Sequence, residues 1–249
     1  MMLNERTIAA YTAILREELL LATGCTEPIA VAYCAAKLRE VLGGKPEEVL
    51  AEVSGNILKN VKSVVVPNTD GRRGIDAAIA VGIVAGDADA ELQVIANVTE
   101  DDAAAIQGYL DATPIKVTCP ETPCLLDIFL HGKRAGHTAA VRVANNHTNI
   151  IYIEKDGEIL LEKPVTGNAE DNLQDKSVLN VKDIITFIET VPLSTIAPFI
   201  SRQIACNTAI AQEGLRNSWA PTSAPLCCSA AMTLRLRRGH GPPPDPTPA

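Results

Sequence analysis

The feature that most constrains the fold is a change in the spacing of apolar residues, from a helical period to a strand period and back. Helical spacing predicts helices over residues 4–22 and 26–43. A Gly- and Ala-rich helix is predicted over residues 74–86, and a shorter helix capped by Thr99 over residues 101–110. The N-terminus of the chain is therefore expected to be helical.

Short strand-like segments dominate the middle of the chain, and Asp156-Gly157 is a typical hairpin turn between the last two. The predicted strands cover residues 49–53, 61–66, 115–119, 125–131, 138–143, 149–154 and 158–162. After a polar loop at 167–176, helices return over residues 181–189 and 194–215. These patterns predict a mixed α/β (α+β) fold over residues 1–217, with helices packed on short strands and a β-rich segment at about 115–165.

The composition excludes several classes of protein. A chain of 249 residues, 47% hydrophobic and 21% charged, can bury a large core in one or two domains. The net charge of −8, with no cluster of Lys and Arg, argues against nucleic acid and against an anionic membrane surface. Uncharged apolar stretches such as residues 77–86 are far shorter than the roughly 20 residues that span a bilayer. Seven irregularly spaced cysteines, without a secretory signal at residues 1–20, favour a cytoplasmic location.

The last segment, residues 218–249, differs in composition from everything before it. It holds 7 of the 16 prolines, the only tryptophan and no lysine. This composition predicts a disordered tail that is not part of the folded domain. A sequence rich in Ala, Pro and Arg is also expected when a truncated gene is followed by DNA that is translated out of frame. The neighbouring reading frames of the DNA beyond codon 217 test that hypothesis.

Cys25 is the candidate reactive residue. It lies between Gly24 and a predicted helix start at Thr26-Glu27-Pro28. At that position, the positive end of the helix dipole and free backbone N–H groups favour the thiolate. We therefore expect a lowered thiol pKa and a group that can act as a base near neutral pH. The alternative is a buried, inert cysteine that ends a loop.

Polar side chains that suit a small ligand are concentrated in two further segments. Asn56, Lys59 and Asn60 follow a predicted strand, and their amide and ammonium groups suit a ligand that carries a carboxylate. His147, in the polar run 145–149, is a candidate acid–base group. Ordinary turn chemistry accounts for these residues equally well.

Cys119 and Cys124 form a C-x4-C pair between two predicted strands. Paired thiolates in a turn can hold zinc, but a closed zinc site needs two more ligands. A zinc protein is therefore the weaker alternative, and stoichiometric zinc in aerobically purified protein would support it.

Five short strings, in order along residues 1–217, resemble the L-cysteine desulfidase family, relatives of the iron–sulfur L-serine dehydratase α subunit. The strings are Gly24-Cys25-Thr26-Glu27-Pro28-Ile29-Ala30, Ser54-Gly55-Asn56-Ile57-Leu58-Lys59-Asn60, Pro67-Asn68-Thr69, His147-Thr148-Asn149-Ile150, and Asn207-Thr208-Ala209-Ile210 with Gln212-Glu213-Gly214-Leu215. The resemblance implies a PLP-independent lyase that removes sulfide from L-cysteine, or water from L-serine, to give pyruvate and ammonia. In this family, the residue that matches Cys25 is the proposed proton acceptor.

The resemblance also implies an oxygen-sensitive [4Fe–4S] cluster, held in the family by three cysteines of the C-terminal half. Nothing in residues 218–249 resembles those cysteine segments. The cysteines at 34, 119, 124 and 206 do not match them in position, so the chain supplies no cluster ligand. We therefore expect a truncated relative that binds no cluster and is inactive by itself.

The implied ligand is a small amino acid, and Thr26, Glu27, Asn56, Lys59, Asn60 and His147 are the candidate substrate-side residues. The expected protein partner is a second copy of the chain or a separately encoded C-terminal half. The alternative is a non-catalytic remnant, or a module that binds a small amino acid or another protein without turnover.

Overall fold

The computed structural model describes residues 3–165 and 174–217. By its contacts, the chain divides into two compact units. One unit is Ala9–Leu179, and the other combines Met1–Ile8 with Asn180–Ala249. The predicted tail at 218–249 and most of the predicted loop at 167–176 lie outside the described residues.

The described segments contain seven α-helices and one six-stranded sheet. The helices are α1 (Glu5–Glu18), α2 (Thr26–Leu42), α3 (Gly55–Val61), α4 (Gly74–Ala85), α5 (Ala103–Ala112), α6 (Val181–Thr190) and α7 (Leu193–Arg216). The strands are β1 (Glu48–Val53), β2 (Ile115–Thr118), β3 (Asp127–Arg134), β4 (His137–Ala144), β5 (Ile150–Lys155) and β6 (Glu158–Glu162). Their order is β2-β1-β3-β4-β5-β6, with β1 and β2 parallel and the other neighbours antiparallel. The predicted mixed α/β class is confirmed.

Helix α2 lies at the centre of the larger unit and contacts both α4 and the strands β3 and β4. Eleven of its residues are buried, so its surface is apolar nearly all round, as expected for a helix enclosed on several sides. On β3, Ile128 and Leu130 are buried, whereas Phe129 between them is half-buried. This alternation covers one sheet face with helices and leaves a more polar face opposite.

Helices α2 and α4 come very close together because glycine stands at their contact. A Cβ atom added to Gly82 of α4 would lie 2.2 Å from the carbonyl oxygen of Ala32 in α2. One turn further on, a Cβ atom added to Gly86 would lie 3.1 Å from the Cβ atom of Ala36. Small residues therefore set the distance between the two helices.

The more polar sheet face carries a buried ion pair. The Arg142 guanidinium donates two hydrogen bonds to Asp127, from Nε to Oδ1 at 2.8 Å and from the terminal nitrogen to Oδ2 at 2.6 Å. The Asp127 side chain is only 6% exposed. Thr122 donates to the same carboxylate, and Arg142 lies 5.5 Å from the centre of the Phe129 ring. These contacts satisfy a carboxylate that would be costly to bury alone.

The predicted strand at 61–66 is wrong, and the residues just before it form a helix. Residues 55–61 form α3, because Ser54 accepts a hydrogen bond from the Ile57 backbone N–H at 3.4 Å and begins the helix. Ile57 and Val61 are then one helical turn apart and both fully buried. Of the predicted strand, Val65 makes only an isolated bridge to Arg73. A short helix with two core residues thus replaces the strand.

Within residues 3–165 and 174–217, no single helix has the length and apolar character needed to cross a membrane. Helices α6 and α7, bent by 100° at the break between them, reach that length and composition only as a pair.

Candidate functional site

Cys25 lies where the chain turns into α2, as the sequence predicts. Gly24 has a positive φ of 125°, a conformation that favours glycine, and a Cβ atom there would lie 2.9 Å from Cγ of Pro67. Cys25 itself is extended, at the N-cap position of α2, and its side chain caps no backbone N–H group. The sulfur is exposed rather than sealed in the core. The alternative of a buried cysteine at this position is therefore wrong.

The contact that defines the surroundings of Cys25 is a hydrogen bond to Glu27. Cys25 Sγ donates to Glu27 Oε2 at 3.2 Å, and the Thr26 hydroxyl donates to the same oxygen at 3.3 Å. The other carboxylate oxygen, Oε1, accepts a hydrogen bond from Asn60 Nδ2 at 3.2 Å. Both oxygens of Glu27 are thus held, one from α2 and one from α3.

The expected lowering of the Cys25 pKa is wrong for this geometry. Partial burial raises the pKa of the Cys25 thiol, and the hydrogen bond to Glu27 and the negative charge of that carboxylate raise it further. The backbone N–H of Glu27 acts in the opposite direction but does not prevail. The sequence placed the thiol correctly at a helix start, but the helix brings an anion beside it.

The Glu27 carboxylate is stabilised in its charged form. Burial alone would raise its pKa, but the hydrogen bonds from Cys25, from its own backbone N–H and from Asn60 outweigh burial. A positive charge on His147, when its ring is protonated, acts in the same direction, and the pKa of Glu27 lies below its ordinary value. Glu27 is therefore ionised at neutral pH while Cys25 is a thiol.

His147 is the fourth member of the group, which we call the Cys25 cluster: Cys25, Glu27, Asn60 and His147. Its ring is half-buried, and burial lowers the pKa of His147, with Glu27 partly opposing that change. The backbone N–H of His147 donates to the Asn146 side chain at 2.7 Å. The imidazole is thus favoured in its neutral form, beside a charged carboxylate.

The cluster brings together four of the strings that the sequence singled out. Cys25 and Glu27 come from the first string, Asn60 from the second and His147 from the fourth, and Pro67 of the third packs against Gly24. In the third string, Thr69 is fully buried, and its hydroxyl donates to the Val66 carbonyl at 2.7 Å, so its role there is to form the turn. The fifth string lies on α7, in the other unit.

Asn56 and Lys59 are exposed on α3 and are not among the residues in contact with Cys25. Asn56 lines a cleft of about 490 Å³, together with Ser54, Gly55 and the loop that carries Cys119 and Cys124. Asn56 and Asn60 are four residues apart, so they lie on the same side of α3. That helix thus has one amide at the cleft and one at the Cys25 cluster.

The described residues do not provide a site for the iron–sulfur cluster that the resemblance implies. Nowhere in residues 3–165 and 174–217 do three or more His, Cys, Asp or Glu side chains lie close enough together to hold a metal ion. Cys34 is fully buried in α2 and donates to the Val141 carbonyl at 3.3 Å, while Cys119 is exposed. The donor groups of the described residues do not fit the cluster.

The sequence interpretation missed the buried pair of Asp127 and Arg142, which borders a second, smaller cleft of about 180 Å³ with Glu52 and Phe129. The available signal in the sequence was a pair of opposite charges, Asp127 and Arg142, in two neighbouring predicted strands that are otherwise mainly apolar. Their register, Phe129 opposite Arg142, follows only from the paired strands.

The relatives found among curated proteins carry one name, UPF0597 protein. A UPF0597 protein from Treponema denticola is 44% identical over 220 residues, which are 88% of this chain and 51% of that protein. One from Desulfitobacterium hafniense is 44% identical over 216 residues, 87% of this chain and 50% of the relative. The chain is similar to UPF0597 proteins. It spans about half the length of these curated UPF0597 relatives.

The names of the UPF0597 relatives state no activity, so the desulfidase resemblance stays a prediction. A third relative, from Fusobacterium nucleatum, is 39% identical over 86% of this chain and 51% of its own length. No family model matches the chain. No solved structure matches it either.

The burial of His147 predicts that acidification destabilises the protein. Because its folded-state pKa is lowered, the unfolded chain takes up the proton first, and stability is lost as the pH falls from about 7 towards 5. We expect the free energy of unfolding of the variant His147→Gln to change less over that range than that of the wild type. Urea unfolding at a series of pH values measures this, and equal pH slopes would contradict it.

Proposed function

We propose that this chain is the part of a PLP-independent lyase that holds the substrate and its proton acceptor, acting on a small amino acid such as L-cysteine or L-serine. The observation that carries the proposal is the Cys25 cluster. Residues far apart in sequence converge on the Glu27 carboxylate, which accepts hydrogen bonds from Cys25, Thr26 and Asn60 and interacts electrostatically with His147. Through Cys25, this carboxylate contacts an exposed sulfur atom. The strings that supply them are those by which the chain resembles the L-cysteine desulfidase family.

In the proposed reaction, the Cys25 sulfur accepts the proton from the α-carbon of the amino acid. The electron pair of the broken C–H bond forms a double bond between the α- and β-carbons as sulfide leaves the β-carbon. The aminoacrylate that results is hydrolysed to pyruvate and ammonia. Lys59 supplies a positive charge for the substrate carboxylate, and the amides of Asn56 and Asn60 orient it.

We assign to no described residue the task of assisting the departure of sulfide. We therefore propose that the chain does not turn over substrate by itself. The purified chain, treated anaerobically with iron and sulfide, is expected to give no 4Fe–4S absorbance and to release no sulfide from L-cysteine. Absorbance spectra and a sulfide assay measure both properties. Formation of a cluster, or turnover, would contradict this.

The activity is tested in a chimera that adds the part of the Treponema denticola relative that this chain does not match. We expect this chimera to release sulfide from L-cysteine, and Cys25→Ser to lower kcat by at least about 100-fold, as loss of a general base does. Cys119→Ser, which changes the other exposed cysteine in the larger unit, is the matched control and should retain the rate. Activity that survives Cys25→Ser would refute the assigned role.

The second candidate function is an interaction module without catalysis. It is favoured by the apolar side chains exposed on α6 and α7, among them Ile188 at 69%, Leu193 at 75% and Ile210 at 70% exposure. Apolar surface of this kind favours association with another protein. A chimera that folds and assembles but shows no turnover would support this function over the lyase.

A further inference from the structure

We propose that Glu27 is the proton partner of Cys25: its carboxylate holds the sulfur as a thiol in the resting site and accepts the thiol proton when the sulfur acts as a base. Glu27 acts through Cys25 and is therefore a positioning residue. Its place in catalysis rests on the proposed lyase function, but its control of the thiol does not.

The geometry at the start of α2 makes this contact possible. Residues two apart do not face each other within a helix, but Cys25 is extended and lies before the first helical turn. Glu27 lies in that first turn, where the helix dipole favours a negative charge. The carboxylate thus occupies the region of positive potential that would otherwise favour a thiolate.

Glu27 is held in place from both sides. Its Oε2 accepts hydrogen bonds from Cys25 and Thr26, and its Oε1 accepts one from Asn60 of α3. The facing titratable group from the 145–149 segment is His147, which favours the ionised carboxylate when its ring is protonated. A carboxylate fixed in this way is an acceptor of defined position for the Cys25 proton.

The proton balance of the step is simple. The S–H bond of Cys25 breaks and an O–H bond forms on Glu27 Oε2, which leaves a thiolate and a neutral carboxyl group. The thiolate then takes the α-proton of the substrate and becomes a thiol again. The net result is one proton moved from the α-carbon to Glu27, with the sulfur as the intermediate carrier.

Alkylation of Cys25 by iodoacetamide tests the coupling, because only the thiolate reacts. In the full chain near neutral pH, we expect Glu27→Gln to raise the alkylation rate of Cys25 about threefold. The thiolate fraction rises when the carboxylate charge is lost, and the lower reactivity of a less basic thiolate offsets part of that gain. Mass spectrometry of the peptide that contains Cys25 follows the reaction.

The same peptide provides an internal control, because Cys34 is fully buried and stays unmodified while the protein is folded. Glu27→Asp keeps the charge and should leave the rate near that of the wild type. Glu40→Gln, the same change at an exposed site on α2, should have no effect. A Glu27→Gln rate equal to or below that of the wild type, with Cys34 unmodified, would overturn the proposal.

A second measurement does not depend on the folding of the Glu27 variants. A thiol that donates to a carboxylate has an infrared S–H stretch at lower frequency than a free thiol. We expect such a band in the wild type and its loss in Cys25→Ser. Absence of the band from the wild type would overturn the proposal. Neither measurement requires turnover, so failure of this proposal and failure of the lyase function are distinguishable.

Discussion

Replacing Gly82 by alanine is expected to lower the free energy of unfolding by about 3 kcal/mol, at the upper end of what overpacking costs. The added Cβ atom would meet the backbone carbonyl oxygen of Ala32 at 2.2 Å, and backbone cannot move aside as a flexible side chain can. Helices α2 and α4 must then separate along a contact in which both are buried. Urea unfolding, followed by circular dichroism, measures the loss.

Gly108→Ala is the matched control for Gly82→Ala. Gly108 is also a helical glycine, in α5, but a Cβ atom there meets nothing within 4 Å. Alanine has the higher helix propensity, so we expect this variant to be more stable by about 0.5–1 kcal/mol. Similar effects at the two glycines would refute the assigned close contact of α2 and α4.

Replacing Arg142 by methionine is expected to cost about 3–5 kcal/mol, because it leaves the Asp127 carboxylate buried without its partner. The matched control is Lys133→Met, which removes an ion pair with Glu48 on the same sheet. That pair is 65% and 55% exposed, so its loss should cost no more than about 1 kcal/mol. Thermal or urea unfolding of the two variants gives the comparison.

A double variant separates loss of the pair from loss of packing. When Asp127→Leu is combined with Arg142→Met, no unpaired buried charge remains, so the double variant should be more stable than Arg142→Met alone. If the two single effects simply add, the cost lies in the side-chain packing of Arg142 on Phe129 rather than in the charge.

Much of the fold was predictable because local patterns decide it. The Asp156-Gly157 turn has positive φ at both residues, 51° and 84°, as the hairpin prediction requires. The turn at Ala135-Gly136, between β3 and β4, was not predicted, since alanine rarely takes the positive φ of 48° that it has there. Strands β3 and β4 are consequently longer than the alternating pattern indicated, and end at this tight turn.

The error at α3 and the error at Cys25 have different physical causes. In residues 61–66, a run of valines predicted a strand, but Ser54 begins a helix whose core residues are Ile57 and Val61. At Cys25, the sequence correctly predicted a position just before a helix. The protonation of the thiol depends on Glu27, to which Asn60 donates a hydrogen bond and which His147 influences electrostatically. Both residues come from distant segments, and no local pattern contains these interactions.

Because Cys25 and Glu27 belong to the start of a helix that packs on both α4 and the sheet, the distance between them depends on the packing of α2 rather than on a loop. The geometry of a site built on the start of a packed helix is fixed before a ligand binds, so binding requires little rearrangement there. Such a site also has no independent stability. Heat or denaturant should abolish the hydrogen bond of the thiol and the tertiary structure in one cooperative transition, with no folded intermediate in which only the sulfur is released.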